Sequence, residues 1–283
     1  MMAGMQWEPS AEQALKRVPF FVRPLARMKV EERVTGQGRD LVTLADFQQA
    51  EAAFRALRGG RDDAELTKMM PQDNLPGVEM TILEACRAEL AGCPNRLLDT
   101  EPWRQALEGW LRADDVSERL RQRLPEAKVL HHHKLKLSLC GCPNGCSRPQ
   151  VADLALVGFL RPRFDLAACT ACGACAQACP DQAIALGEDG PVWDRNACLG
   201  CRACQGACPA GCISLGEPQA RVLLGGKLGR HPRLARVVAE AADPEQALAI
   251  LRQVVEQYLQ EARPGQRFAD WWGQRQPTGS VRP

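Results

Sequence analysis

A chain of 283 residues, 45% of them hydrophobic, has enough material for two or three small domains with cores of their own. Its net charge of +2 excludes a nucleic-acid footprint spread over the whole surface, and no run reaches the roughly eighteen apolar residues of a membrane helix. Fourteen cysteines are the outlier, and with no basic, apolar or cleavable leader over the first nine residues they read as reduced thiols holding metal in a cytoplasm.

Residues 7 to 60 predict a small helical unit. Ser10 with Gln13 forms a capping-box pattern that opens a short helix through Leu15 and Val18, and Pro19 and Pro24 break the chain into two short helices set at an angle. Thr43 caps a further helix with Leu44, Phe47, Ala50, Phe54 and Leu57 on one face and Gly59-Gly60 at its end. Residues 61 to 77 are polar and contain proline, the texture of a linker. Val78 to Leu83 predicts a strand and Trp103 to Leu111 a helix. The alternation Lys134-Leu-Lys-Leu-Ser-Leu has the period of a half-buried strand. Before it, His131-His-His133 reads as an exposed loop. Cys142-Pro-Asn-Gly-Cys146 predicts a tight turn, Leu154 to Phe159 a second strand, and Arg221 to Lys227 a strand running into a glycine turn. Asp243, Pro244 and Gln246 open a long core-facing helix through Leu248, Leu251, Val255, Tyr258 and Leu259.

The most specific signal is a repeat. Cys169-Thr-Ala-Cys172-Gly-Ala-Cys175-Ala-Gln-Ala-Cys179-Pro180 recurs 29 residues on as Cys198-Leu-Gly-Cys201-Arg-Ala-Cys204-Gln-Gly-Ala-Cys208-Pro209. This duplicated C-x2-C-x2-C-x3-C-P run is the ligand pattern of a two-cluster bacterial ferredoxin, in which the fourth cysteine of each run serves the other cluster. One 4Fe-4S cube would take Cys169, Cys172, Cys175 and Cys208, and the other Cys198, Cys201, Cys204 and Cys179. Zinc sites or disulfides would consume the cysteines but give no reason for a Cys-Pro ending both runs.

Cys86 and Cys93 form a C-x6-C pair, and Cys142 and Cys146 a C-x3-C pair, about fifty residues apart. Two such pairs suit one further cube, although four scattered cysteines alone are more often buried apolar residues. The surrounding sequence decides. Cys86 to Asn95, Lys134 to Cys146, Ala152 to Gly158 and Leu223 to Ala235 together resemble the iron–sulfur half of nitrite and sulfite reductases, closest to the catalytic subunit of anaerobic sulfite reductase. The resemblance implies an oxidoreductase in which Cys86, Cys93, Cys142 and Cys146 hold a third 4Fe-4S cluster and Cys146 also bridges to the iron of sirohaem. It implies that Lys134 and Lys136 help to bind a small oxyanion, sulfite or nitrite, and supply protons. Arg148, Lys227 and Arg230, with Arg161 and Arg163, are the cationic candidates for the haem carboxylates. The first cysteine pair is one residue longer than is usual in that family, and Cys140 and Cys212 are read as spare or packing thiols. The basic lobe that precedes the cluster half in that family has no counterpart here. Instead Trp7-Glu-Pro, Ala14 to Arg23 and Val42-Thr resemble the helical C-terminal module of the B subunit of dark-operative protochlorophyllide reductase, which implies docking or shielding of a redox site.

The expected fold is α+β: a helical module over 1–60, a reductase half-domain over 61–165, an inserted ferredoxin over 166–215, and the rest of the half-domain with its long helix over 216–283. The expected partner is an electron-donor subunit or redox protein. The alternative is an electron-transfer protein that keeps the cubes, lacks sirohaem and serves a partner enzyme. A redox or oxygen sensor is a weaker third reading.

Overall fold

A computed structural model of the protein describes residues 5–18, 23–57, 71–88 and 91–275. The fold mixes helices with small sheets, and the chain divides into two compact units, Met1–Met69 and Met70–Pro283. No described helix is long and apolar enough to cross a membrane.

The first unit holds β1 (Gln6–Trp7), α1 (Pro9–Lys16), α2 (Arg23–Gly36), β2 (Leu41–Val42) and α3 (Leu44–Leu57). Strands β1 and β2 pair in parallel, and Ala11, Leu15, Val30, Val34, Val42 and Phe47 make the core. The cap of α1 is Glu8 and not Ser10, because Pro9 supplies a preformed first helical residue that needs no N–H partner. Thr43 caps α3 as expected: its Oγ1 accepts from the Asp46 N–H at 3.3 Å, while Asp46 Oδ2 accepts from the Thr43 N–H at 3.0 Å. Pro24 sits just inside α2, where proline is tolerated. Pro19, the side chains of Phe54 and Leu57, Gly59-Gly60 and most of the expected linker lie outside the described residues.

The second unit is built on a five-stranded sheet ordered β13-β12-β7-β6-β4. Its strands are β4 (Thr81–Ala85), β6 (Leu135–Cys140), β7 (Leu154–Phe159), β12 (Gln219–Leu224) and β13 (Arg236–Ala241). Strands β4, β6 and β7 run parallel, and β12 and β13 continue antiparallel. Between β4 and β6 the chain crosses through α4 (Thr100–Ala113) and α5 (Val116–Gln122). These helices, with α8 (Pro244–Glu261) and α9 (Phe268–Arg275), cover one face, where Leu135, Leu137, Leu139, Leu154 and Leu156 meet Trp103, Trp110, Leu251 and Tyr258. The alternate residues of β6, namely Lys136, Ser138 and Cys140, take the other face.

Part of the expected linker is a strand: β3 (Gln72–Asp73) pairs with β5 (Lys128–Val129). The strand predicted from Val78 begins later, at Thr81. The histidines form a 3-10 turn with His131 and His133 partly buried, because the Leu130 N–H bonds His133 Nδ1 and closes the segment on itself. The cap of α8 holds, Asp243 Oδ1 accepting from the Gln246 N–H at 2.9 Å.

Residues 162 to 215 leave the sheet and form two short antiparallel pairings. Here β8 (Pro162–Phe164) pairs with β11 (Ile213–Leu215), and β9 (Ile184–Gly187) with β10 (Gly190–Trp193). The short helices α6 (Ala174–Gln177) and α7 (Ala203–Ala207) pack together with Cys175, Cys204, Ile184 and Ile213 in a small core.

Gly158 on β7 is a contact that the site depends on. A Cβ there would stand 2.6 Å from Leu98 Cβ and 2.7 Å from the Gly141 carbonyl oxygen. Gly158→Ala is expected to destabilise the second unit by about 1–3 kcal/mol through overpacking, read as a lower denaturation midpoint. An unchanged midpoint would show that the Gly141 turn gives way freely.

Candidate functional site

The parallel pairing of β4 and β6 brings two distant cysteine loops together. Both strands end at the same edge, with Ala85 opposite Leu139. Cys86 follows β4 and donates its N–H to the Leu139 carbonyl at 2.8 Å. Beyond β6, the Gly141 N–H reaches Cys86 Sγ at 3.2 Å, and the Leu97 and Leu98 N–H groups both bond the Gly141 carbonyl, at 3.0 and 3.1 Å. Loops at the carboxyl ends of neighbouring parallel strands are a usual place for a bound group. Burial pushes the Cys142 thiol up, and the thiols of Cys146, Cys86 and Cys93 add to the effect, so all four expected ligands share one locality.

Within the turn, Ser147 is buried and acts as the anchor. Its Oγ bonds the Leu139 carbonyl at 2.9 Å and contacts Cys140 Sγ at 2.8 Å, while Ser138 Oγ donates to the Ser147 carbonyl at 2.8 Å. With Ser147 turned inward and Gly145 at φ 67, Cys146 is left exposed on the surface of the turn. Cys140 is buried, its thiol pushed up to about 11 by burial, and belongs to the packing.

In the repeat, Cys169, Cys172 and Cys175 line one cavity together with Cys208, the fourth cysteine of the other run. Cys198 and Cys201 lie alongside Cys204, whose thiol is pushed up to about 11, chiefly by burial. Cys179 packs in the same interior group and accepts from the Ala183 N–H at 3.3 Å. The second run sits on the sheet and on the first cysteine loop. Arg221 of β12 donates to the carbonyls of Cys198 at 2.7 Å and Leu199 at 3.0 Å, Leu160 donates to Gly200 at 3.0 Å, and Arg202 donates to the Pro94 carbonyl beside Cys93.

A domain model described as "Nitrite and sulphite reductase 4Fe-4S domain" matches residues 84–274, well over half of the chain. The chain belongs to this family. A second model, "Proto-chlorophyllide reductase 57 kD subunit", matches residues 7–50. Coenzyme F420-dependent sulfite reductase of Methanocaldococcus jannaschii is 44% identical over 52 residues, which is 18% of this chain and 8% of that protein. The C subunit of the anaerobic sulfite reductase of Salmonella typhimurium is 37% identical over 65 residues, 23% of this chain and 19% of the relative. The matched segments are thus a small part of either relative's own length. Among solved structures, dissimilatory sulfite reductase I aligns with a TM-score of 0.48 at 18% identity, over 68% of this chain and 49% of that one.

The donor sets suit the iron–sulfur cluster that the family carries. They consist of soft thiols, all fourteen cysteines are free, and Cys169, Cys172, Cys175 and Cys208 converge on one small cavity. Among the described residues no three His, Cys, Asp or Glu side chains form a group suited to a single metal ion.

The cationic candidates are less free than the sequence suggests. Arg148 bonds both oxygens of Glu84, at 2.9 and 3.1 Å, Lys227 pairs with Asp270, and Arg161 with Glu240. Arg163 and Arg230 are exposed. Lys134 is buried before the start of β6 with Nζ 3.3 Å from Gln72 Oε1, whereas Lys136 is half-buried on the face of β6 that carries Ser138 and Cys140, its ammonium pKa lowered mainly by burial. Sequence reasoning missed Ser147, Arg202, Arg221 and Asp153. An acid inside the apolar run Ala152-Asp-Leu-Ala-Leu-Val was the available signal for the last of these.

Asp153 is buried at 3% exposure. Its Oδ2 accepts the Lys136 N–H at 2.9 Å, and its Oδ1 has no hydrogen-bond partner among the described residues. Burial raises its pKa to about 6, against the opposing pull of Arg267 and Lys136. Between about pH 4 and 6 the folded protein therefore holds a proton that the unfolded chain has lost, and stability falls as pH rises through that window. Asp153→Asn is expected to remove on the order of 2–3 kcal/mol of that fall, measured as the difference in urea midpoints between pH 4 and pH 7 for variant and wild type. Equal pH slopes for the two proteins would contradict a neutralised Asp153.

Proposed function

We propose that this chain carries electrons from two ferredoxin-type clusters to a third, and that the third is coupled to sirohaem for the reduction of sulfite or nitrite. Cys169, Cys172, Cys175 and Cys208 would hold the first cluster, and Cys198, Cys201, Cys204 and Cys179 the second, making residues 166–215 an inserted ferredoxin domain. Cys86, Cys93, Cys142 and Cys146 would hold the third, with Cys146, the exposed member, bridging to the haem iron. When bound, the clusters supply single-electron storage and sirohaem supplies the iron at which the oxyanion is reduced. The observation that carries the reading is the meeting of the Cys86–Cys93 loop with the Cys142–Cys146 turn in a chain of this reductase family.

The remaining roles fall to this chain's own side chains. Arg202, Arg221 and the Leu160–Gly200 hydrogen bond keep the Cys198–Cys204 run against the sheet and against Pro94, which supports the order first, second, third for the clusters. Lys136, on the cluster face of β6, would bind the substrate anion and deliver a proton from its ammonium. Lys134, buried beside Gln72, would support it. The electron donor would be a partner subunit or redox protein in a reducing cytoplasm.

One observation favours the second reading, an electron-transfer protein without sirohaem. Arg148 and Lys227 already have carboxylate partners within the chain, and the haem carboxylates would have to compete for them or draw on a partner's cations. The visible spectrum of anaerobically purified protein, expressed with ample sirohaem, separates the two. Sharp Soret and alpha bands are expected, and broad cubane absorption alone would favour the electron-transfer reading. With sirohaem bound, Lys136→Ala is expected to leave the spectrum unchanged and to lower kcat/KM about ten- to a hundredfold, the value of one charged hydrogen bond to the anion. An unchanged kcat/KM would remove Lys136 from the substrate site.

A further inference from the structure

The two cysteine runs repeat in backbone as well as in sequence. Left-handed φ angles of 52°, 75° and 52° at Ala171, Gly173 and Gln182 recur as 74°, 65° and 64° at Gly200, Arg202 and Gly211. Each fourth cysteine is followed by proline, two residues, a small residue and an isoleucine that opens a strand. The small residue is Ala183 in the first copy and Cys212 in the second. Ala183 offers only its backbone N–H, to Cys179 Sγ. Cys212 adds a thiol whose Sγ lies 3.4 Å from Cys208 Sγ. It is 7% exposed, and it lines the same cavity as Cys169, Cys172, Cys175 and Cys208.

We propose that Cys212 is a positioning residue for the cluster held by Cys169, Cys172, Cys175 and Cys208, donating an S–H···S hydrogen bond to Cys208 that makes this cluster more readily reduced than its twin. The inference rests on the reading that both runs hold 4Fe-4S cubes. Cys212 lies outside the four-cysteine pattern of either run, and Cys208 as a cluster ligand would be a thiolate with no proton to give, so Cys212 is the donor of the pair. A donor to a ligand sulfur favours the more negative, reduced cluster and so raises its potential. Within 162–215 the repeat would otherwise make the two clusters near-equivalent. Cys212 breaks the symmetry at the cluster whose cysteines make none of the contacts described above with the sheet or the Pro94 loop, which suits a site where an incoming electron is first captured.

The test is a potentiometric titration of the reconstituted full chain, followed by paramagnetic resonance. Cys212→Ala should retain full iron content while the cluster bound by Cys169 becomes about tenfold harder to reduce, a fall of about 59 mV for one electron, with its twin unmoved. Ala183→Cys should raise the twin's potential in the same way. That gain checks the claim even if Cys212→Ala assembles poorly. Both clusters present with neither potential moved by either substitution would overturn the proposal. Loss of the cluster in Cys212→Ala but not in Cys208→Ser would also overturn it, since Cys212 would then be a ligand. Wild-type protein lacking two ferredoxin-type signals would instead overturn the cluster assignment itself.

Discussion

The parallel pairing of β4 with β6 is the constraint on which the rest of the second unit depends. It sets Ala85 beside Leu139, so the two chains leave the sheet at the same edge and their cysteines arrive together. The Cys86 N–H on the Leu139 carbonyl extends that ladder by one residue past the strand, and the Gly141 N–H on Cys86 Sγ carries it into the turn. A slip of one residue would turn Leu135, Leu137 and Leu139 away from Trp103 and Trp110 and send the cysteine loop to the wrong face. The buried leucines thus fix the register, and the register fixes the site. Absence of a side chain at Gly141 and Gly158 then lets the Leu98 segment close over the turn.

What was legible in the sequence follows from how local each signal is. The duplicated cysteine runs are visible in the sequence because their cysteines lie two or three residues apart, and the structure gathers Cys208 with Cys169, Cys172 and Cys175 across the repeat. Strand β6 and helix α8 carry their own periodicity, β7 is a short continuous apolar run, and all three appear within a residue or two of the expected bounds. Convergence of Cys86 and Cys93 with Cys142 and Cys146 was reached only through resemblance, since it depends on a pairing between segments about fifty residues apart. Strand β3 was read as linker for the same reason: two residues have no period, and only the partner at Lys128–Val129 makes them a strand. The Ser10 cap failed on a local competition, in which Pro9 began the helix before Ser10 could cap it.

Electrostatics sorts the charged side chains of the second unit. Glu84 and Asp270 engage Arg148 and Lys227, while Lys136 stays near the Asp153 carboxyl, whose pKa burial raises, and burial likewise disfavours the Lys136 ammonium. A half-buried ammonium with a lowered pKa suits a group that binds an anion and gives up a proton. On the other flank, Arg202 and Arg221 anchor the second cysteine run. Arg202 does so from a left-handed backbone conformation where the first run has Gly173, a strain that its bond to Pro94 offsets.

The central claim is that the two loops at the carboxyl ends of β4 and β6 hold a cluster of their own. It is tested most directly by iron and sulfide analysis of the anaerobically reconstituted chain beside a Cys142→Ser/Cys146→Ser double variant. Three cubes predict about twelve irons per chain, falling to about eight in the variant while both ferredoxin-type signals persist. About eight irons in the wild type, unchanged in the variant, would contradict the claim.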